Sequence, residues 1–253
     1  MVVLGWRIDV IIKERIKRVV QGYRYSSELY VEHLKSIGVN VGEDLVVFAP
    51  TKTVIDEQYP WMITIGDHVR ITEGVKILTH DYAWSVMKCK KGDYEGVILG
   101  ASGKIVIGNN VFIGVNSVLT RGISIGDNVV IGAGSVVTKD CESNAVYAGN
   151  PVRRIMSIEE YYQKRRNKQI DEAKSLAIEY YKHYKKTPPK EIFHEYFFLF
   201  EDYQSVLEND VFKEKMMLGT GLDRSIEYLE RNKPAYNSFD EFIQTVLSKE
   251  DDL

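Results

Sequence analysis

Residues 105–137 read IVIGNNVFIGVNSVLTRGISIGDNVVIGAGSVV, and every sixth position in this run is aliphatic: Ile107, Ile113, Leu119, Ile125, Ile131 and Val137. Glycine follows four of the six, at Gly108, Gly114, Gly126 and Gly132. A strand repeats every two residues and a helix every 3.6, so neither accounts for a beat of six. The beat predicts short strands that turn a corner at fixed intervals and stack their aliphatic side chains into one internal column. Three hexads make one triangular coil, which places Ile107 and Ile125 in register. The same phase is visible upstream at Ile65, Ile71 and Ile77, and in Val41-Gly42-Glu43-Asp44-Leu45.

Working outward, the coil phase extends back to about residue 41, with a polar, irregular interruption near Ala49 to Trp61. It breaks again between Thr79 and Ser102, where the chain runs His80-Asp81-Tyr82-Ala83-Trp84-Ser85, passes Lys88, Lys90 and Lys91, and returns through Gly92, Gly96, Gly100 and Gly103. Loops on a rigid scaffold are where chemistry is commonly placed, so this excursion is the leading site candidate. A solenoid end exposes backbone edges and an open core, which a cap must cover. Helical periodicity over residues 7 to 36 supplies one. At the other end Ser157 and Glu160 form a capping box for a helix that can run to Lys186, before Pro188-Pro189. Glu191 to Phe200 and the segment after Ser238 read as further helices. The predicted fold class is mainly β: a solenoid over 39–155 with an excursion at 80–103, an N-terminal helical cap over 1–38 and a helical extension over 156–253.

Composition narrows the class. The chain has 253 residues, 44% of them hydrophobic, and no stretch of membrane-spanning length. Arg7 and Asp9 interrupt the N-terminal apolar run, against a signal peptide. Two cysteines, Cys89 and Cys141, lack metal or disulfide spacing and suggest a reducing compartment, so a cytoplasmic location is expected. A net charge of -3 argues against a nucleic-acid partner. The basic run Lys164, Arg165, Arg166 and Lys168 reads as a solvated helix face. No phosphate-cradling Gly-Lys-Ser/Thr loop is present, so ATP is not implied.

The hexads, the segment Ile77-Leu78-Thr79-His80-Asp81-Tyr82, the run Gly132 to Asp140, and Ala148-Gly149-Asn150-Pro151 together resemble the hexapeptide-repeat acyltransferases. Within them the chain is most similar to maltose and galactoside acetyltransferases and to O-acetyltransferases of bacterial surface polysaccharides, over roughly residues 40 to 155. The resemblance implies a left-handed parallel β-helix, a homotrimer with sites between subunits, acetyl-CoA as co-substrate with no metal required, and transfer to a sugar or glycan hydroxyl. Handedness comes from the resemblance alone, since the usual crossover is right-handed.

An alcohol needs a base to attack a thioester near neutral pH, and a free imidazole, with an ordinary pKa of about 6.5, can serve. His80 matches the family's catalytic histidine. His68, two hexads earlier, falls on a different face. Asp81, Asp56 and Glu73 are each candidates to orient the imidazole, as is a backbone carbonyl. The residues expected to meet the acceptor are Arg70, Glu73, Asp81, Tyr82, Trp84 and Met87. Those expected to meet acetyl-CoA are Ala133, Gly134 and Ser135, whose small size permits close approach, with Thr138, Lys139, Arg153 and Arg154 toward the pantetheine and phosphate ends. Three other readings compete. They are transfer to an amino sugar, a zinc-dependent hydratase on the same scaffold, for which His68 and His80 supply too few ligands, and a non-catalytic interaction module.

Overall fold

The structure is a computed structural model that describes residues 14–218 and 221–248. The part of the N-terminal cap and of the helix expected from residue 7 that falls on residues 1–13 lies outside the described residues. The chain divides into two compact units that meet between Tyr161 and Tyr162.

The first unit is the solenoid. Its strands are β1 (Asn40–Val41), β2 (Val46–Val47), β3 (Val54–Ile55), β4 (Ile63–Ile65), β5 (Arg70–Ile71), β6 (Lys76–Ile77), β7 (Ile105–Ile107), β8 (Val111–Ile113), β9 (Val118–Leu119), β10 (Ile123–Ile125), β11 (Val129–Ile131), β12 (Val136–Val137), β13 (Ala145–Ala148) and β14 (Arg153–Ser157). Each parallel pair joins a strand to the third one along, or, in the case of β13, to β11, which builds three faces ordered β1-β4-β7-β10, β14-β13-β11-β8-β5-β2 and β12-β9-β6-β3. Among the described strands only β14 runs antiparallel to its neighbour. Register follows the hexads: Ile107 pairs with Ile125, Ile113 with Ile131, and Leu119 with Val137. The inward residues form one continuous core, in which Ile113, Leu119, Ile131 and Val137 are fully buried.

The corners are held by two side-chain ladders. At one, the side-chain oxygen of Asp67 accepts from Glu43 N–H, Asn109 from Asp67 N–H, Asp127 from Asn109 N–H, and Ser143 from Asp127 N–H, at 2.6–2.9 Å. Beside it Asp44, His68, Asn110, Asn128 and Asn144 all occupy positive φ, where Asn, Asp and His are the better tolerated non-glycine residues. Asn110 donates to Asn128, and Asn128 to Asn144, each at 2.8 Å. Coils approach closely where the hexad glycines stand. A Cβ on Gly114 would sit 2.5 Å from Ala133 N.

Helix α1 (Ser27–Ile37) begins at Ser26, whose hydroxyl accepts from Leu29 N–H, and ends at Gly38 in the left-handed region. It buries Tyr30 and Leu34 against the first coils. The excursion carries a short helix, α2 (Ser85–Cys89), and closes through a bridge between His80 and Ser102. The expected irregular segment at Ala49 to Trp61 holds a regular strand, β3, which lies out of the six-residue phase because the first coil is longer than the others.

Helix α3 (Ile158–Tyr184) starts on the Ser157–Glu160 capping box, with Ser157 N–H to Glu160 Oε2 at 2.6 Å and Glu160 N–H to Ser157 Oγ at 3.0 Å. The second unit adds α4 (Tyr203–Glu208), α5 (Asp210–Met216), α6 (Leu222–Arg231) and α7 (Phe239–Leu247) around an aromatic core of Phe193, Phe197, Phe200, Phe212 and Phe242. Residues 190–199 form two short 3-10 turns rather than the expected helix. The expectation of a mainly β chain is therefore corrected. The described residues contain more helix than strand, and the class is mixed α/β, with largely parallel sheets in the first unit and helices in both. Most coil residues lie in corners, so strands reach only two to five residues, whereas α3 alone runs for 27.

Candidate active site

Asp56 follows β3 directly and His80 lies three residues beyond β6, its neighbour on the same face. The ladder bond from Asp56 N–H to Ile77 O brings the two together, although they are 24 residues apart. His80 Nδ1 lies 2.6 Å from Asp56 Oδ2. The same oxygen accepts from Thr79 N–H at 3.0 Å and from the Thr79 hydroxyl, while Asp56 Oδ1 accepts from Gln58 N–H at 2.9 Å. Asp56 is 8% exposed. Burial by itself favours the neutral acid, but the Thr79 hydroxyl, Gln58 N–H, His80 and Thr79 N–H outweigh it and hold the carboxyl below its usual range. An ionised carboxylate only accepts, so Nδ1 carries a proton in this contact, and in the neutral ring the lone pair then sits on Nε2. Nε2 has no protein partner among the described residues, and the His80 side chain is 23% exposed. The pair has the form of an oriented, accessible general base.

Aromatic rings surround it. Tyr59 and Tyr82 each present an edge-on contact to the imidazole, at centroid distances of 5.6 and 5.8 Å. Trp61 continues from Tyr59 at 5.8 Å and Trp84 from Tyr82 at 6.4 Å. Trp61 and Tyr82 are well exposed, Met87 is exposed on α2, and Trp84 is half-buried. Such rings offer apolar faces to a ligand beside the base.

The other expected residues divide by face. Asp81 is near His80 in sequence but turns to Arg121, with Nε to Oδ2 at 2.7 Å, and accepts from Ala83 N–H at 3.0 Å. The Arg121 guanidinium keeps its carboxyl low. It thereby pins the root of the excursion. Arg70 bonds the Asp44 carboxylate and carbonyl on the six-stranded face, where His68 Nδ1 also meets Asp44 at 2.9 Å. Glu73 pairs with Lys52 Nζ at 2.6 Å in a solvent-facing corner. Thr138 stands in step with Leu78 and Thr120 on the face of β6, since Leu78 N–H bonds Leu119 O and Thr120 N–H bonds Val137 O. It is two strand spacings, about 10 Å, along the solenoid from Leu78, and Lys139 follows it, exposed. Ala133 and Gly134 are exposed at the preceding corner, and a Cβ on Gly134 would meet nothing within 4 Å, so that corner is open. Ser135 is fully buried, with its hydroxyl donating to Gly132 O at 2.6 Å and accepting from Gly149 N–H at 3.2 Å. Arg153 and Arg154 are exposed on β14, the outermost strand of the six-stranded face.

Sequence reasoning could not choose Asp56 over Asp81 or Glu73, and it missed Tyr59, Trp61 and Arg121. Tyr59 and Trp61 lie in the segment whose coil phase was hidden. Arg121 stands in register with Thr79 across the excursion, since Ile77 pairs with Leu119, and the length of that excursion, which the hexads do not give, sets the relation.

Residues 104–139 match the family described as the hexapeptide repeat of succinyl-transferase. Protein CapG of Staphylococcus aureus is 42% identical over 130 residues, covering 51% of this chain and 72% of CapG. Among solved structures, a maltose O-acetyltransferase from Clostridium difficile 630 is 28% identical, over 58% of this chain and 88% of that one, with a TM-score of 0.38. A galactoside acetyltransferase in complex with coenzyme A is 29% identical, over 58% of this chain and 80% of that one, with a TM-score of 0.40. With the hexad solenoid and the extent of the match to CapG, the chain belongs to the hexapeptide-repeat acyltransferase family and is an enzyme of that class.

Proposed function

We propose that this enzyme transfers an acetyl group from acetyl-CoA to a hydroxyl of a sugar or glycan, with His80 as the general base. The observation that carries the reading is the His80–Asp56 pair, which fixes the Nδ1–H tautomer and leaves Nε2 accessible. Nε2 takes the acceptor proton as the acceptor oxygen bonds to the acetyl carbon. The carbon–sulfur bond then breaks, and the imidazolium returns its proton to the departing thiolate. Asp56, ionised beside the ring, stabilises the imidazolium between these steps.

The acceptor reading is supported by the rings of Tyr59, Trp61, Tyr82 and Trp84, which offer apolar surface to a sugar face. The donor reading is supported by the open corner at Ala133 and Gly134 and by exposed Thr138 and Lys139 on the same side of the solenoid as His80. Arg153 and Arg154 are available to phosphate. We place the sites between subunits of a homotrimer and the enzyme in the cytoplasm. Exposed Phe112 on the outer side of the six-stranded face suits subunit contact, and the free cysteines Cys89 and Cys141 suit a reducing compartment. Among the described residues no helix is long and apolar enough to cross a membrane.

The test is thiol release from acetyl-CoA across paired hydroxyl and amino sugars. Transfer to hydroxyl acceptors supports the reading, and transfer to amines alone overturns it.

A further inference from the structure

We infer that Arg24 is a positioning residue for the His80–Asp56 pair, holding in place the edge strand from which Asp56 projects; this rests on the reading of His80 as the base. Strand β3 is the last strand of its face, two residues long, with a ladder partner on one side only. Val54 within it is 44% exposed. Its ladder bonds are Val54 N–H to Val75 O and Asp56 N–H to Ile77 O. A short edge strand is the first part of a sheet to open. Asp56, however, must stay at 2.6 Å from the imidazole to fix its tautomer.

Arg24 ties down the segments on both sides of this strand. Its guanidinium donates to Pro50 O at 2.7 Å and Thr53 O at 2.9 Å, ahead of β3, and to Glu57 Oε1 at 3.0 Å, just past Asp56. Glu57 Oε2 also lies 3.4 Å from His33 Nε2 on α1. The guanidinium lies over the rings of Tyr30, at 4.8 Å, and Tyr23, at 5.4 Å, and Tyr30 is fully buried in the solenoid core. Arg24 is thus braced from behind and grips the chain at three points around Asp56. A planar fork with five donors can do this, whereas a lysine ammonium cannot reproduce the geometry.

The test compares the wild type with Arg24→Ala, Arg24→Lys, Asp56→Asn and the double variant Arg24→Ala with Asp56→Asn. One readout is kcat and KM for acetyl-CoA. The other, which needs no acceptor, is the downfield Nδ1 proton resonance of histidine-labelled protein, assigned by its loss in His80→Ala. We expect Arg24→Ala to weaken or abolish that resonance and to lower kcat about 10- to 100-fold, as loss of an orienting partner does elsewhere, with KM little changed. Arg24→Lys should recover only part of it. The double variant should be no slower than Asp56→Asn alone, because both changes act through one carboxylate. An intact Nδ1 resonance in Arg24→Ala, or losses that multiply in the double variant, would overturn the inference. Should Arg24→Ala fail to fold, Glu57→Gln and Arg24→Lys carry the same resonance test. If His80→Ala turns over like wild type, the base reading fails, and the resonance still reports whether Arg24 holds the pair.

Discussion

Replacing Asp56 by asparagine tests the orienting carboxylate in a way the geometry makes quantitative. One carboxylate oxygen, Oδ2, serves Thr79 N–H, the Thr79 hydroxyl and His80 Nδ1, while Oδ1 serves Gln58 N–H alone. An asparagine has one oxygen and one NH2 group and must choose which site receives the oxygen. Placing it toward His80 keeps up to three bonds and sets the NH2 against Gln58 N–H. The opposite flip keeps one bond and faces donors with a donor. The first flip wins, and the cost is one orphaned N–H plus the charge assistance at the other bonds, about 1–3 kcal/mol of stability. Nδ1 therefore remains the donor and Nε2 the base, and what is lost is the negative charge that stabilises the imidazolium. The expected kcat loss is about 10- to 100-fold, with KM for acetyl-CoA unchanged, rather than the roughly 10⁴-fold loss seen where a wrong tautomer is locked in. Stopped-time thiol release and thermal unfolding measure both quantities. Wild-type kcat in Asp56→Asn would show that the carboxylate contributes nothing to turnover, and a loss of about 10⁴-fold would show that the asparagine locks the wrong tautomer instead.

Three further outcomes follow from the same structure. Gly114→Ala places a Cβ 2.5 Å from Ala133 N and 2.8 Å from Gly132 C, both backbone, so the coil must shift and stability should fall by about 1–3 kcal/mol; an unchanged Tm would contradict the close approach. Lys139→Ala should raise KM for acetyl-CoA about tenfold with kcat preserved, the worth of one charged hydrogen bond, and an unaltered KM would remove Lys139 from the donor site. For pH, the folded-state pKa values of Asp56 and Asp44 are both lowered. Their stabilisation is full above the ordinary carboxylate range and is lost as pH falls through the folded values. Acid unfolding monitored by circular dichroism should accordingly show a smaller acid-side loss in Asp56→Asn than in wild type, and parallel curves would show that Asp56 contributes none of it.

The sequence was most legible where the coil length is constant. From 105 to 137 each coil takes 18 residues, so Asp127 lies 18 positions beyond the Asn109 it braces, and the hexads give the register of Ile107 on Ile125 directly. The first coil is longer: Asp67 braces Glu43 at a separation of 24, and the extra residues break the phase. That is why β3 reads as irregular, and why Asp56, Tyr59 and Trp61 could not be assigned to His80. His80 was singled out through the resemblance carried by Ile77 to Tyr82, at the point where the beat stops. Asp81, one of the three carboxylates that could orient the ring, is turned by the corner to Arg121. Ser135, expected to meet acetyl-CoA, points inward because the coil uses its hydroxyl to bond Gly132 O and Gly149 N–H. Class was misjudged for a related reason: hexads announce themselves more loudly than helices do, while a solenoid coil spends most of its residues in corners.

Whether His80 is the base for acetyl transfer is decided by thiol release from acetyl-CoA by wild type and His80→Ala on the same hydroxyl-sugar panel, with coenzyme A binding determined for both. His80→Ala should bind coenzyme A as wild type does and lose turnover by at least about 10²-fold, the contribution of a positioned base. Equal turnover in the two proteins would contradict it.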